Sequence, residues 1–199
     1  MPIVRLPGGS LRDEIRQPLY DTLDILAGVS PVGDREFYSN VQGKDKSLSN
    51  LRQNNLLETA VSFRCQGLGF DAQNNQEANK KALALIMESS ALTLRVGEKI
   101  YWESNATLVA GRMRSAFAVS VPAAGPGIED VYQAFGEAAV QAVVLSGKHV
   151  VDINPLQSFR VLWSVSGMTA AEIALATPAA NTKLRFIQSL KGLIRRPVQ

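Results

Sequence analysis

Few residues in this chain have the types and spacing that chemistry needs. The stretch CQGLGFDA fits G-x-G-x-x-A at Gly67, Gly69 and Ala72. That pattern follows a strand-like run, as a turn that brings backbone amides to a pyrophosphate would. Asp71 would set a negative charge beside that pyrophosphate, and the following QNNQ delays any helix. The rest of the chain also lacks the βαβ alternation of a parallel sheet. The glycines therefore read as a bend in a strand, and no cofactor is expected. His149 stands three residues before Asp152. A hydrolase triad needs a nucleophile on a sharp turn, and G-x-S-x-G does not occur. His149 reads as a surface or hairpin histidine. Cys65 lies on the apolar parity of its strand and reads as a packing residue. A cysteine nucleophile would want His149 in reach, and that alternative stays open.

Metal chemistry has little to draw on. The chain holds one cysteine and one histidine, whereas structural zinc takes four such ligands and a cupin-type site needs several histidines. Among the carboxylates of the strand region, Glu58, Asp71, Glu88, Glu98 and Glu103 lie far apart. They form no paired cluster for a metal or a glycosidase. No metal and no enzymatic activity are expected.

The elements that must position these residues are mostly strands. In TKLRFIQSLKGLIRRPVQ one parity gives Leu184, Phe186, Gln188, Leu190, Gly192 and Ile194. The other gives Lys183, Arg185, Ile187, Ser189, Lys191, Leu193 and Arg195. A period of two with one apolar side predicts a half-buried strand. ETAVSFRCQ, ALTLRVG, EKIYWES, TLVAG, SAFAVSVP, VQAVVLSGKHVVDI and LQSFRVLWSV read the same way. The apolar parity switches at Gly67, the mark of a bulge or bend. Roughly eight strands spaced by Gly, Pro and Asn turns predict an all-β sandwich or barrel. Phe159, Val161, Trp163, Leu184, Phe186 and Leu190 are its expected core. Three segments have helical character: 76–88, 128–137, and GMTAAEIALATP, where Thr169 and Glu172 form a capping box and Pro178 ends the helix.

Residues 1–40 read as an arm. Pro7, Gly8, Gly9, Pro18, Gly28, Pro31 and Gly33 forbid a long helix. One short turn is expected from Ser10 to Gln17, with Ser10 as its cap. Leu19, Tyr20, Leu23 and Leu26 are expected to dock this arm on a neighbour or on its own barrel.

Composition sets the outer bounds. Apolar residues make up 46% and charged residues 20% of the 199, ordinary values for a folded domain. No run approaches the ~18 apolar residues of a membrane span, and the start lacks the apolar core of a secretory signal. A net charge of +3 is too small to argue for a nucleic-acid binder by itself. From Ile173 onward the charges are Lys183, Arg185, Lys191, Arg195 and Arg196, all positive, while residues 1–36 are slightly acidic. Opposite signs at the two ends suit contacts between copies, and chance variation on a solvated surface is the alternative.

KDKSLSNLRQNNLLETAVSFRCQGLGFD, LTLRVGEKIYWESNATLVAG, INPLQSFRVLWSV and the closing IRRPVQ share a further property. Together they resemble segments of the jelly-roll capsid proteins of small tailless, often membrane-containing icosahedral bacteriophages. The resemblance covers residues 44–199. Two eight-stranded barrels need well over ~200 residues at ~5–6 per strand plus turns, so the expectation is one jelly roll. What the resemblance implies is an arm at 1–40 and a jelly-roll domain at 41–199, with one or two short inserted helices. It implies a virion structural protein, made in the host cytoplasm, that self-assembles into an icosahedral shell. Its partners would be copies of itself and other virion proteins, and an internal lipid membrane or the genome met through the basic C-terminal residues Lys191, Arg195 and Arg196. A receptor- or carbohydrate-binding jelly roll such as a spike is the first alternative, with Tyr101 and Trp102 as its candidate aromatic pair. A β-sandwich enzyme centred on His149 or Cys65 is the second.

Overall fold

A computed structural model describes residues 3–5, 11–74, 79–109, 133–134, 143–145 and 150–197. In chain order the elements are β1 (Ile3–Arg5), β2 (Leu11–Arg16), β3 (Leu19–Leu26), β4 (Gly33–Phe37), β5 (Ser62–Asn74), α1 (Lys80–Glu88), β6 (Ser90–Val96), β7 (Lys99–Asn105), α2 (Ala106–Val109), β8 (Gln133–Ala134), β9 (Val143–Val144), β10 (Val151–Ile153), β11 (Phe159–Val165), α3 (Ala170–Ala176) and β12 (Lys183–Pro197).

The chain is mostly β, in two antiparallel sheets arranged as a sandwich. One sheet runs β1-β2-β12-β5-β10, with β3 continuing along β12 and β8 and β9 along β5. The other runs β4-β11-β6-β7. Alternation decides what each strand buries. Along β12, Leu184, Phe186, Gln188, Leu190, Gly192 and Ile194 all point into the core. Along β11, Phe159, Val161, Trp163 and Val165 do the same. The inward faces meet ring on ring. Trp163 lies 4.4 Å from Phe186 and 5.7 Å from Phe70, and Phe37 packs edge-on against Phe70 at 6.0 Å. Such contacts between centroids are in the favourable range for aromatic pairs. All six residues expected in the core are buried there.

The parity switch in β5 is a bulge. Lys191 pairs with Gly67 and Gly192 with Cys65, which leaves Gln66 as the extra residue. Phe63 and Cys65 face inward before it, Leu68, Phe70 and Ala72 after it. Gly192 lets the two backbones approach: a Cβ there would press into the Arg64 carbonyl and lie 2.8 Å from the Phe63 ring. The Gly67, Gly69 and Ala72 pattern thus lies wholly within a strand.

Strands β6 and β7 form a hairpin around Gly97 and Glu98, with Val96 paired to Lys99. Gly97 has φ +58°, the left-handed conformation that a two-residue hairpin loop needs at its first position. Helix α3 carries the expected capping box between Thr169 and Glu172. Helix α1 begins at Lys80 and buries Ala82, Leu83, Ile86 and Met87.

Four local expectations are corrected. Residues 11–16, expected as a capped turn, form strand β2 against Leu193–Pro197. A helix that short has little stability of its own, and the end of β12 offers a ladder. TLVAG, expected as a strand, starts as helix α2, because the Asn105 side chain accepts hydrogen bonds from the Thr107 amide (2.8 Å) and hydroxyl. Within 128–137, expected helical, Gln133 and Ala134 form β8 on the edge of β5; the rest of that segment, His149 and SAFAVSVP lie outside the described residues. The fourth correction concerns the arm. Residues 1–40 supply β1 to β4, with β3 paired to β12 over eight residues and β4 to β11 over five. Leu19, Ile25, Phe37 and Tyr38 are buried core residues. Prolines and glycines break this segment into strands without keeping it out of the sandwich, because β11 and β12 provide the partners.

Candidate functional site

The surface formed by β2, β3 and β12 with the loop 38–58 carries most of the residues expected to make contacts. Strand parity sorts them. Leu19 faces Leu190 and is buried, and Leu23 packs half-buried against the core. Both meet the second of the two expectations, packing on the chain's own sandwich, since positions 19, 21, 23 and 25 of β3 turn toward the interior. Leu26 ends the strand and is 58% exposed. Tyr20 is half-buried on the other face, and its hydroxyl donates to the Lys46 carbonyl.

The basic face of β12 is largely neutralised within the chain. Arg185 donates to both oxygens of Asp24, at 2.9 and 3.2 Å, and Lys183 to one of them at 2.9 Å. Burial works to raise the Asp24 pKa, but the hydrogen bonds and charges of Arg185 and Lys183 together outweigh it and hold the carboxyl below its ordinary range. Arg195 donates to Glu14 at 2.8 Å. Those acidic residues belong to β2 and β3. The opposite signs at the chain's two ends therefore meet inside one molecule, and the expected use of that asymmetry between copies is corrected for these pairs. Lys191 is half-buried on β12. Arg196 is exposed and has no acidic partner among the described residues.

Asp21 is the residue that composition alone hides. It sits on the inward parity of β3, between Leu19 and Leu23, and is fully buried. Its carboxylate accepts from the Tyr38 amide at 2.7 Å and from Lys44 Nζ at 2.7 Å. Lys44 also donates to the Thr22 carbonyl. The Tyr38 hydroxyl donates to the Leu19 carbonyl at 3.2 Å. Tyr38 has φ +71°, an uncommon conformation for a bulky residue. Asp21 on its amide and the core around its ring hold it there. A charge on an apolar parity was the available sequence signal for this latch.

The latch seats the loop 38–58 against β3 and leaves a half-open cleft of about 550 Å³. Tyr20, Lys44, Lys46, Arg52, Glu58 and Arg196 are among its lining residues. Tyr20 and Arg196, expected contact residues from opposite ends of the chain, are thus brought together. Leu26 and Lys191 are not part of the lining.

The candidates for covalent chemistry stand elsewhere. Cys65 is buried in β5, and burial pushes its thiol up to about 12, so it is protonated and unreactive at neutral pH. On β7, Tyr101 is 40% exposed with Lys99 Nζ 4.8 Å from its ring centre, whereas Trp102 packs against the core. No protein-family model matches the chain, and no curated protein sequence matches it significantly.

Proposed function

We propose that this protein is a virion structural protein, a single jelly roll that self-assembles into the icosahedral shell of a tailless bacteriophage. One observation carries the reading: the pairing of strands is nested. The first long strand line, β2–β3, pairs with the last, β12; β4 pairs with β11; β5 with β10; β6 with its neighbour β7. Taking β2–β3 as one line and β8, β9 and β10 as another gives eight strand positions among the described residues, four in each sheet, with β1 outside them. Eight strands in two packed sheets, joined by Greek-key connections, describe a jelly roll, an architecture used by viral capsid and lectin domains. The resemblance of residues 44–199 to phage capsid proteins favours the shell over the other uses. Leu26 and Arg196 are the expected contact residues that remain available to neighbours.

The test is the assembly state. Purified protein is examined by light scattering coupled to size exclusion and by negative-stain microscopy over a range of salt and concentration. Closed, symmetric particles or discrete capsomers support the reading. A monomer under every condition sinks it.

Exposed Tyr101 on β7 favours a second reading, a carbohydrate-binding module. A glycan array on the intact protein tests it, and a glycan signal that Tyr101→Ala removes would favour it over the shell.

A further inference from the structure

The cleft between β3 and the loop 38–58 has a lopsided charge that self-assembly does not explain. Four cations, Lys44, Lys46, Arg52 and Arg196, line it against one carboxylate, Glu58. Lys44 is matched by buried Asp21 at 2.7 Å. Arg52 lies 3.3 Å from Glu58, but both side chains are mostly exposed, so this pair is weak and exchangeable. Lys46 and Arg196 have no acidic partner among the described residues. They reach the same concavity from a loop and from the end of β12, 150 positions apart in the chain.

Lys46, Arg52 and Arg196 are exposed at the cleft, and cations of one sign gathered around a concavity add their fields and attract oxyanions. A guanidinium offers a planar fork to phosphate oxygens and an ammonium a movable point charge, so one of each suits a phosphate. The size of the cleft falls in the range of sites for small organic ligands, about 300–1,000 Å³. A lipid surface would need a flat or protruding cation cluster instead. Tyr20, Val41 and Leu51 add an aromatic and an apolar wall, which inorganic phosphate does not use and a nucleobase does.

We infer that this cleft binds the phosphate of a nucleotide, free or as a unit of a nucleic-acid strand, through Arg196 and Lys46, with the base against Tyr20. The inference is independent of shell formation.

The test uses the intact protein and titration calorimetry with four probes: inorganic phosphate, a 5′-mononucleotide, a short oligothymidylate and phosphatidylglycerol vesicles. The mononucleotide is expected to bind more tightly than phosphate, and added salt to weaken it. Arg196→Gln and Lys46→Gln are each expected to weaken nucleotide binding by about tenfold, the size of one charge-assisted contact. Neither side chain has an internal ion partner, so both variants should keep the wild-type unfolding midpoint. Tighter binding of the oligothymidylate assigns the site to a strand, and equal binding to a free nucleotide. The inference is overturned by no nucleotide binding, by phosphate binding as well as the nucleotide, by binding to vesicles alone, or by unchanged affinity in a variant that combines Arg196→Gln with Lys46→Gln.

Discussion

Arg185 and Asp24 face each other across the β3–β12 ladder, and the guanidinium grips both carboxylate oxygens. They are 161 residues apart in sequence. The pair joins the acidic start of the chain to its basic end, and Lys183 closes on the same carboxylate.

This relationship has a pH signature. The folded-state pKa of Asp24 lies below its unfolded value. Its stabilisation is therefore complete above the ordinary carboxylate range, and is lost as pH falls from there through the depressed folded value. Asp24→Asn is expected to cost about 1 kcal/mol or less at neutral pH, as partly exposed pairs do. The difference between variant and wild type should shrink as the medium is acidified through that range. Urea unfolding at neutral and acid pH measures it; a constant difference would contradict the assignment.

The Asp21–Lys44 latch should behave differently, because Asp21 is fully buried and Lys44 is 20% exposed, less than the partners of Asp24. Asp21→Asn leaves an ammonium without its anion and is expected to destabilise by about 3 kcal/mol, near the low end for broken buried pairs. Adding Lys44→Met should restore part of that loss. A double-mutant cycle by chemical denaturation gives the coupling, and additive losses would show that the two residues do not act as a pair.

In the core, Trp163→Ala should cost roughly 3–5 kcal/mol. Its indole Nε1 has no hydrogen-bond partner among the described residues. Trp163→Phe therefore sacrifices volume but no hydrogen bond, and should cost much less. Equal losses from the two substitutions would mean that ring volume is not what Trp163 contributes.

At the bulge, Gly192→Ala places a methyl group against the Arg64 carbonyl and the Phe63 ring. Overpacking of this kind costs about 1–3 kcal/mol. Thermal unfolding of the variant should start at a lower temperature than that of the wild type, and an unchanged midpoint would show that the β5–β12 crossing can open freely.

Truncation distinguishes an arm from a set of strands. Deleting residues 1–30 removes β2 and β3, uncovers the edge of β12 and takes Leu19, Asp21 and Ile25 out of the interior. The product is expected to be unfolded or insoluble by circular dichroism and sedimentation, whereas deleting residues 1–10 should leave a cooperative transition. A soluble, cooperatively melting 31–199 fragment would restore the arm.

Much of the strand content, the bulge beside Gly67, the α3 capping box and the core of Phe159, Trp163, Leu184 and Phe186 were readable from sequence. Each is a property of neighbours two to four residues apart, where backbone geometry alone decides which side chains share a face. The pairing of strands was not readable. Segment 11–16 became a strand because the end of β12 lay beside it, and β3 and β4 joined the sandwich because β12 and β11 offered ladders more than a hundred residues away. The same distance hid the site. Tyr20 and Arg196 could be singled out as residues that make contacts, but their meeting in one cleft depends on a loop seated by Asp21 and Lys44. Leu19 and Leu23 could be seen as apolar, but only the fold determined that they face inward. Local alternation is set by the chain itself, whereas burial and charge pairing are set by whatever the fold brings opposite.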